Sequence, residues 1–364
     1  MLSDELNAVR WQGKRQRGFY EVWYFTCVDP SSGDAYWFRY TIDAPEHGEV
    51  EIGLWAFTTP AKEPRSGLAL HDRMTLARFA DKSTEEKGFR IEAGKYYLER
   101  NRATGKVGTG DRSVEWDLKW QPNGIAFQHV SPTLTAIGLA QSAVNSGNLA
   151  IEVDGTIKIG GKQVKVTKWP AHQSHTWGKR HVDGWAWAHC NAFVEDKTAV
   201  FEGVSARVKR LGFALPLATP LFFRHGTDEH TWASFTGAFA NRSSFGEGRW
   251  DFEAEDQSIL LKGFVTAPSE KVLSVEYHDP SGPFYVQHAT GGDMTLEVWR
   301  RIGLRWELDR KLTSTGTTCF EIAGHTRNPA AGRALDLIDT RLAVDEEPPK
   351  PAPKPAATSA TAKT

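Results

Sequence analysis

The sequence has little cysteine and no long apolar run. Its 364 residues include only Cys27, Cys190 and Cys319, which lie on apolar, strand-like segments without a Cys-x-x-Cys pair. This spacing favours buried, reduced thiols over a disulfide or a zinc site, and so indicates a reducing compartment. Residues 1–17 are polar and have no apolar signal core, and no apolar run reaches the roughly 18 residues of a membrane helix. We therefore expect a soluble, cytoplasmic protein.

The sequence also lacks an excess of charge of either sign. It has 44 basic and 45 acidic residues, which are intermixed and give a formal net charge of −1. This balance excludes the broad basic footprint of a nucleic-acid-binding domain or of a protein held to an anionic membrane by overall charge. We expect the partner to be a mostly uncharged, apolar small molecule.

Several motifs of catalysis and cofactor binding are missing. There is no Gly-x-Ser-x-Gly elbow for a hydrolase, and Gly108 and Gly110 lack the third glycine of a dinucleotide loop. Four histidines lie close together in sequence, at His172, His175, His181 and His189. They have neither the helical His-x-x-x-His spacing nor the Cys-x-x-Cys knuckle that is common in zinc sites. We therefore expect no metal and no cofactor.

Aromatic residues and glycines, by contrast, are plentiful. The chain has 14 Trp, 19 Phe, 8 Tyr and 33 Gly, a composition that favours strands joined by tight turns. The length exceeds what one core usually fills. We predict an all-β fold of antiparallel strands, arranged as barrels or sandwiches, either in two domains at residues 1–172 and 173–345 or as one large assembly. A disordered Pro/Ala/Lys tail is predicted at 346–364.

Strand patterns recur along the chain and helix patterns are rare. Strands are predicted at residues 18–29, 35–43, 49–58, 113–120, 148–153, 156–159, 198–209, 231–240, 249–255, 258–266, 271–278, 294–300 and 305–312. The pair Asp154-Gly155 predicts a tight turn between two of these strands. Helices are predicted at residues 70–79, 133–145 and 330–342.

The densest cluster of functional residue types lies between residues 172 and 193. The segment from Gly184 to Phe193 alternates, so that Trp185, Trp187, His189, Asn191 and Phe193 share one face of a strand, and Ala186, Ala188, Cys190 and Ala192 share the other. A row of indoles with an imidazole and a carboxamide is typical of the wall of an apolar pocket with a few directed polar groups.

Glu21 is an unusual residue for its strand. It shares a face with Phe19, Trp23, Phe25 and Cys27, and a carboxylate among aromatics is costly unless it is paired. The pattern leaves two interpretations open, a structural ion pair and a functional acid.

The segment from Leu211 to Phe223 is apolar and contains Pro216 and Pro220. It is too short to span a bilayer. The sequence leaves four roles open for it: a cap over a cavity, a peripheral contact with a membrane, an interface between protomers, and packing between domains.

Three sets of motifs, in order, resemble one superfamily. They are Gly18–Phe25, then His175-Thr176-Trp177-Gly178 with Gly184–Phe193, and finally Val275–Gly282 with Leu296–Trp299 and Cys319–Gly324. Together they are similar to the tocopherol cyclases, the carotenoid hydratases (hydroxyneurosporene synthases) and the AttH-like proteins. In the cyclases a Gln occupies the place of His189. The resemblance covers most of residues 18–324 and implies two lipocalin-like barrels in tandem.

The resemblance also implies varied activities: ring closure of prenylated quinols, hydration of carotenoid double bonds and intramolecular cycloaddition. Protonation of an alkene needs an acid in a water-poor cavity and aromatic faces near the resulting cation. The candidate acids are His175, His189 and Glu21. The candidate substrate-binding residues are Trp23, Tyr24, Trp177, Trp185, Trp187 and Asn191.

Each of these side chains also has a purely structural interpretation, since buried histidines and tryptophans commonly complete a core. Two other functions therefore stay open. A carrier of lipids or isoprenoids would need the pocket without a poised acid, and a carbohydrate-binding or carbohydrate-active protein would expose its tryptophans along a groove.

Overall fold

The protein is mostly β, with two large sheets that are antiparallel apart from two short pairings. The computed structural model describes residues 2–136, 140–179, 181–210, 213–279 and 282–326, together with 333–334 and 336–338. The predicted all-β class is confirmed.

The first sheet is built from the N-terminal half of the chain. Its strands are β1 (Phe19–Val28), β2 (Ala35–Ala44), β3 (Glu51–Thr59), β4 (Ala69–Thr75), β5 (Phe79–Asp81), β6 (Arg90–Ala93), β7 (Tyr96–Glu99), β8 (Arg102–Thr109), β9 (Arg112–Trp120), β10 (Phe127–Gln128), β11 (Ser142–Ile159) and β12 (Lys162–Gly178). Their order is β4-β3-β2-β1-β12-β11-β9-β8-β7-β6-β5, and β10 pairs with β11.

The second sheet uses the C-terminal half. The remaining strands are β13 (Gly184–Cys190), β14 (Val200–Arg207), β15 (Lys209–Arg210), β16 (Phe213–Ala214), β17 (Leu221–His225), β18 (Asp228–Thr231), β19 (Arg242–Gly246), β20 (Arg249–Glu255), β21 (Ile259–Thr266), β22 (Leu273–Asp279), β23 (Gly282–Ile302), β24 (Arg305–Gly324), β25 (Arg333–Ala334) and β26 (Asp336–Ile338). The order is β18-β17-β14-β13-β24-β23-β21-β20-β19; β15 pairs only with β16, and β26 returns to β4 of the first sheet.

Helices are short. They are α1 (Leu2–Asn7), α2 (Pro132–Ala136) and α3 (Phe235–Ala240), with single 3-10 turns at Pro64–Ser66, Leu76–Arg78 and Ser269–Lys271. The helix predicted at 70–79 is wrong, because most of that segment pairs with β3 as strand β4. The one predicted at 330–342 is also wrong where it is described, since β25 and β26 are strands. Of the described residues of the third predicted helix, 133–136 are helical and those from Ser142 onward belong to strand β11.

Most predicted strands are confirmed, and two errors have physical causes. Residues 142–159 form one continuous strand, because the predicted turn at Asp154-Gly155 is a bulge at which Gly155 adopts φ +145° without breaking the pairing to β9. The strand predicted at 231–240 is mostly helix α3, whose N-cap Ser234 accepts a hydrogen bond from the Gly237 N–H.

Each sheet encloses its own apolar core. In the first, side chains from opposite parts of the sheet meet, including Phe38, Leu54, Ile91 and Trp116, so the sheet curls around them in the manner of a barrel. In the second, Ala188, Phe201, Trp250, Leu261 and Phe320 form the centre. Cys27, Cys190 and Cys319 are buried free thiols, as predicted.

The two sheets also pack against each other. Tyr24, Trp37 and Phe57 of the first sheet form a third core with Trp187 and Cys319 of the second. The chain passes from one sheet to the other between residues 178 and 184, a few residues beyond the predicted boundary, which itself stays a prediction. The predicted disordered tail at 346–364 lies outside the described residues. Among the helices of the described part, none has the length and apolar character to cross a membrane.

Candidate active site

The alternating strand β13 lies at the contact between the two sheets. Its small residues Ala186, Ala188 and Cys190 face the core of the second sheet, whereas Trp187 and His189 are 3% exposed and face the first sheet. Strand β13 therefore has the two predicted faces. The small side chains on one face permit close packing inside the second sheet. The alternation ends at Cys190, so Phe193 packs in the second core and does not continue the indole row.

Glu202 of β14 is the centre of a buried polar cluster. Its strand pairs with β13 so that Glu202 lies directly opposite His189. One carboxylate oxygen lies 2.9 Å from His189 Nδ1. The other accepts hydrogen bonds from Trp187 Nε1 at 2.8 Å and Ser146 Oγ at 3.1 Å, and lies 3.0 Å from His129 Nε2. Glu202 is fully buried.

These contacts keep Glu202 ionised. Burial alone would raise its pKa, but the contacts from His129 and His189 outweigh burial and hold the pKa well below the usual 4.5. Glu202 is therefore a fixed negative charge in an apolar contact. Such a charge fixes the orientation of the His189 ring.

His172 of β12 faces His189 across the contact. The two rings stack with centroids 4.0 Å apart, and His172 Nδ1 lies 2.7 Å from Thr26 Oγ1. Burial lowers the pKa of His172 well below its usual value, and nearby His189 lowers it further, while Glu202 opposes the change. His172 is therefore neutral near pH 7. The Nε2 atoms of His172 and His189 are both buried without a hydrogen-bond partner in the described part of the chain.

The donor atoms of His172, His189 and Glu202 lie within 4.8 Å of one another, close enough to raise the question of a metal. The two imidazole planes are only 14° apart, so in-plane nitrogen lone pairs run side by side and do not converge on one ion. One Glu202 oxygen already accepts from Trp187 and Ser146, and the other lies 2.9 Å from His189 Nδ1. This arrangement suits proton transfer better than metal binding.

The predicted pair Glu21 and His175 is in contact, but in a different place. His175 Nε2 lies 2.8 Å from Glu21 Oε1 and His175 Nδ1 lies 2.8 Å from the Leu6 carbonyl. The backbone N–H groups of Arg10 and Trp11 donate to the Glu21 carboxylate at 2.6 and 2.8 Å. Both residues are fully buried inside the first sheet. Every polar atom of this pair is used, and the pair fixes the N-terminal segment to the barrel.

The predicted aromatic residues separate into two groups. Trp23 stacks on His175 and Trp177 lies tilted against it, with centroids 4.8 and 4.6 Å away. Both therefore belong to the contact by which Glu21 and His175 hold the N-terminal segment. Tyr24, which alternates with Trp23, instead faces His172 at 5.5 Å and Trp187 at 5.8 Å. The predicted substrate-binding aromatic residues are therefore found in two places, the interior of the first barrel and the contact between the two sheets.

Trp185 and Asn191 lie at the edges of the contact. Trp185 is half-buried, and its Nε1 lies 3.4 Å from Glu321 Oε2. Asn191 donates to the backbone carbonyls of Leu149 and Ala171 at 3.2 and 2.8 Å, which joins the two sheets.

Sequence reasoning missed Glu202, His129 and the role of His172 in this cluster. Glu202 had a usable signal, since a carboxylate alternates there with Phe201 and Gly203 on an apolar strand, as Glu21 does on β1. His129 follows the two-residue strand β10 and has no comparable pattern.

Comparisons with known proteins agree with this architecture. Residues 10–215, more than half of the chain, match the family described as Domain of unknown function (DUF7064). The chain belongs to this family. Residues 149–324 match the family described as Tocopherol cyclase-like, which confirms the resemblance seen in the motifs. No curated protein matches the chain significantly.

Three solved structures match most of the chain. An AttH protein from Nitrosomonas europaea has a TM-score of 0.54 and 13% identity over 89% of this chain and 96% of that chain. A kievitone hydratase from Nectria haematococca has a TM-score of 0.45 and 11% identity over 89% and 95%, and CghA has 0.47 and 8% over 84% and 87%. The first of these supports the tandem-barrel fold and does not define an activity.

Proposed function

We propose that this protein binds an apolar molecule of isoprenoid, polyene or lipid-like character between its two sheets, and catalyses its cyclisation or hydration by proton transfer without a cofactor. The supporting observation is the pair His189 and Glu202. One imidazole nitrogen is held by a carboxylate, while Nε2 is buried and has no hydrogen-bond partner among the described residues. A general acid has this arrangement.

The surroundings suit the chemistry. His189 donates its Nε2 proton to an alkene carbon, and the cation that forms lies beside the faces of Tyr24 and Trp187. Water or a hydroxyl of the substrate then attacks the cation, and its proton returns to His189. Glu202 stays in contact with Nδ1 and keeps the ring oriented while the Nε2 proton leaves and returns. The three buried free thiols favour a reducing compartment such as the cytoplasm.

A sugar-binding function has less support. Trp187 is 3% exposed and lies between the sheets, whereas a sugar-binding protein would present its tryptophans along an open groove. A carrier would also bind an apolar ligand between the sheets. It differs from the proposed enzyme only because it would not use His189 as an acid.

The test measures deuterium incorporation in D₂O with a prenylated quinol and an acyclic carotenoid as probes. Proton transfer from the protein places one solvent deuteron on carbon, which mass spectrometry detects. His189→Asn keeps an N–H near the Nδ1 position for Glu202 and removes Nε2. We expect it to lower turnover by at least about 100-fold.

The matched control is His175→Asn, which removes the contact with Glu21. We expect that variant to lose stability while each folded molecule retains its turnover. Probe binding without deuterium incorporation in the wild type would support the carrier. Loss of turnover in His175→Asn alone would move the acid to the first barrel.

A further inference from the structure

The hairpin between β23 and β24 ends in an exposed apolar tip. Ile302, Leu304 and Leu308 are 57%, 101% and 49% exposed, and a two-residue turn at Gly303-Leu304, with Gly303 at φ +63°, joins the strands. A single exposed apolar residue is ordinary. Here Ile302 and Leu304 lie together at the tip of one of the longest hairpins of the chain, where water solvates them poorly, and Leu308 lies farther back, opposite Trp299.

The charges around this tip are positive. Arg300 and Arg310 are neutralised by nearby aspartates, among them Asp309. Arg301 and Arg305 are exposed and form no ion pair with any residue that the structure describes. Glu307 is the one acidic residue between Arg305 and Leu308, so the end of the hairpin keeps a positive excess although the whole chain has none.

An indole lies directly behind the tip. Trp306 pairs across the hairpin with Arg301, whose guanidinium carbon is 4.7 Å from the ring centroid. The order from the tip inward is therefore leucine and isoleucine, then arginine and tryptophan. Membrane interfaces favour this order, because the aliphatic groups enter the acyl region while indole and guanidinium remain at the headgroups.

We propose that residues 300–308 form a docking site for the surface of an anionic lipid bilayer. Ile302 and Leu304 insert, and Arg301 and Arg305 contact the lipid phosphates. A protein partner fits less well, since a stable protein interface buries about 800 Å² on each side and the tip has two apolar side chains, Ile302 and Leu304, at the end of one hairpin. The site is independent of the chemistry between the sheets.

The experiment measures co-sedimentation of the full chain with vesicles of phosphatidylcholine, with and without 30 mol% phosphatidylserine (about one lipid in three, enough for a negative surface potential). We expect binding only to the anionic vesicles. The double variant Ile302→Ser/Leu304→Ser should lower the partition constant at least about tenfold. Arg301→Gln/Arg305→Gln should lower it roughly tenfold and remove its salt dependence.

Phe213→Ser is the matched control, because Phe213 is 75% exposed and lies in the apolar segment 211–223. It should bind like the wild type. Failure of the wild type to bind anionic vesicles would overturn the proposal, as would equal binding by the tip variant. Loss of binding in Phe213→Ser alone would move the docking site to that segment. A dimer that dissociates in the tip variant, without vesicle binding, would make the tip a protein interface.

Discussion

In the part of the chain that the structure describes, three largely buried glutamates lie beside histidines: Glu21 with His175, Glu202 with His189, and Glu321 with His288. The three pairs differ in what the second imidazole nitrogen of each histidine contacts. In His175 it meets the Leu6 carbonyl at 2.8 Å, and in His288 it lies 3.2 Å from Thr290 Oγ1. In His189 the second nitrogen, Nε2, has no hydrogen-bond partner among the described residues. The same residue pair is thus a structural clamp in one place and a candidate acid in another.

His172 predicts a pH dependence of stability. Its pKa in the folded protein is depressed below the usual 6.5, so below about pH 6.5 the unfolded chain binds a proton that the folded chain does not. The free energy of unfolding should therefore fall as pH decreases from 7 to 5, by up to about 1.4 kcal/mol per pH unit for this residue. Chemical denaturation across this range should give a shallower slope for His172→Asn. An unchanged slope would show that His172 is not the source.

At the scale of elements, close packing fixes where a strand can lie. Gly105 of β8 pairs with Trp116 of β9, and a Cβ at Gly105 would lie 2.0 Å from the indole ring. Trp116 cannot move aside easily, because it stacks on Phe38 at 4.4 Å and its Nε1 donates to the Tyr40 hydroxyl at 2.9 Å.

Gly105→Ala should therefore destabilise the protein by about 1 to 3 kcal/mol through overpacking. Gly246→Ala in β19 is the control, since nothing lies within 4 Å of its Cβ position, and it should change stability by less than about 0.5 kcal/mol. Urea denaturation of both variants measures the difference. Equal midpoints for the two variants would contradict the packing argument.

Strand positions followed from alternation wherever one face of the strand was apolar. The pattern of β9, with Val114, Trp116 and Leu118 on one face, gave its bounds to within a residue. The same reasoning divided β11 wrongly at Gly155, because a bulge and a turn use the same residue types. The choice between them depends on pairing with β9, which local sequence does not contain.

At the scale of the whole molecule, polar contacts join the two sheets. Arg39 of β2 donates to Glu321 of β24 at 2.7 Å, and both side chains are largely buried, at 5% and 13% exposed. The Arg39 guanidinium also lies 4.6 Å from the Trp37 ring. Removing one member would leave the other charge in an apolar contact.

Arg39→Ala should thus lower the free energy of unfolding by about 3 kcal/mol and separate one cooperative transition into two. Differential scanning calorimetry shows both effects. Arg90→Ala is the control, because Arg90 and its partner Glu92 are 33% and 28% exposed and such pairs contribute less than about 1 kcal/mol. A single, unshifted transition in Arg39→Ala would show that this pair does not hold the sheets together.

The sequence by itself determined the all-β class, the reduced cysteines and the two faces of β13, because side chains alternate along any strand and small residues must face the tighter packing. It also identified His175 and Glu21, which do meet. Only the tertiary structure decided that this pair fixes the N-terminal segment while His189 faces Glu202 and His172. Alternation states which residues share a face but not what lies opposite, since that depends on strands far apart in sequence and on the packing of one sheet against the other.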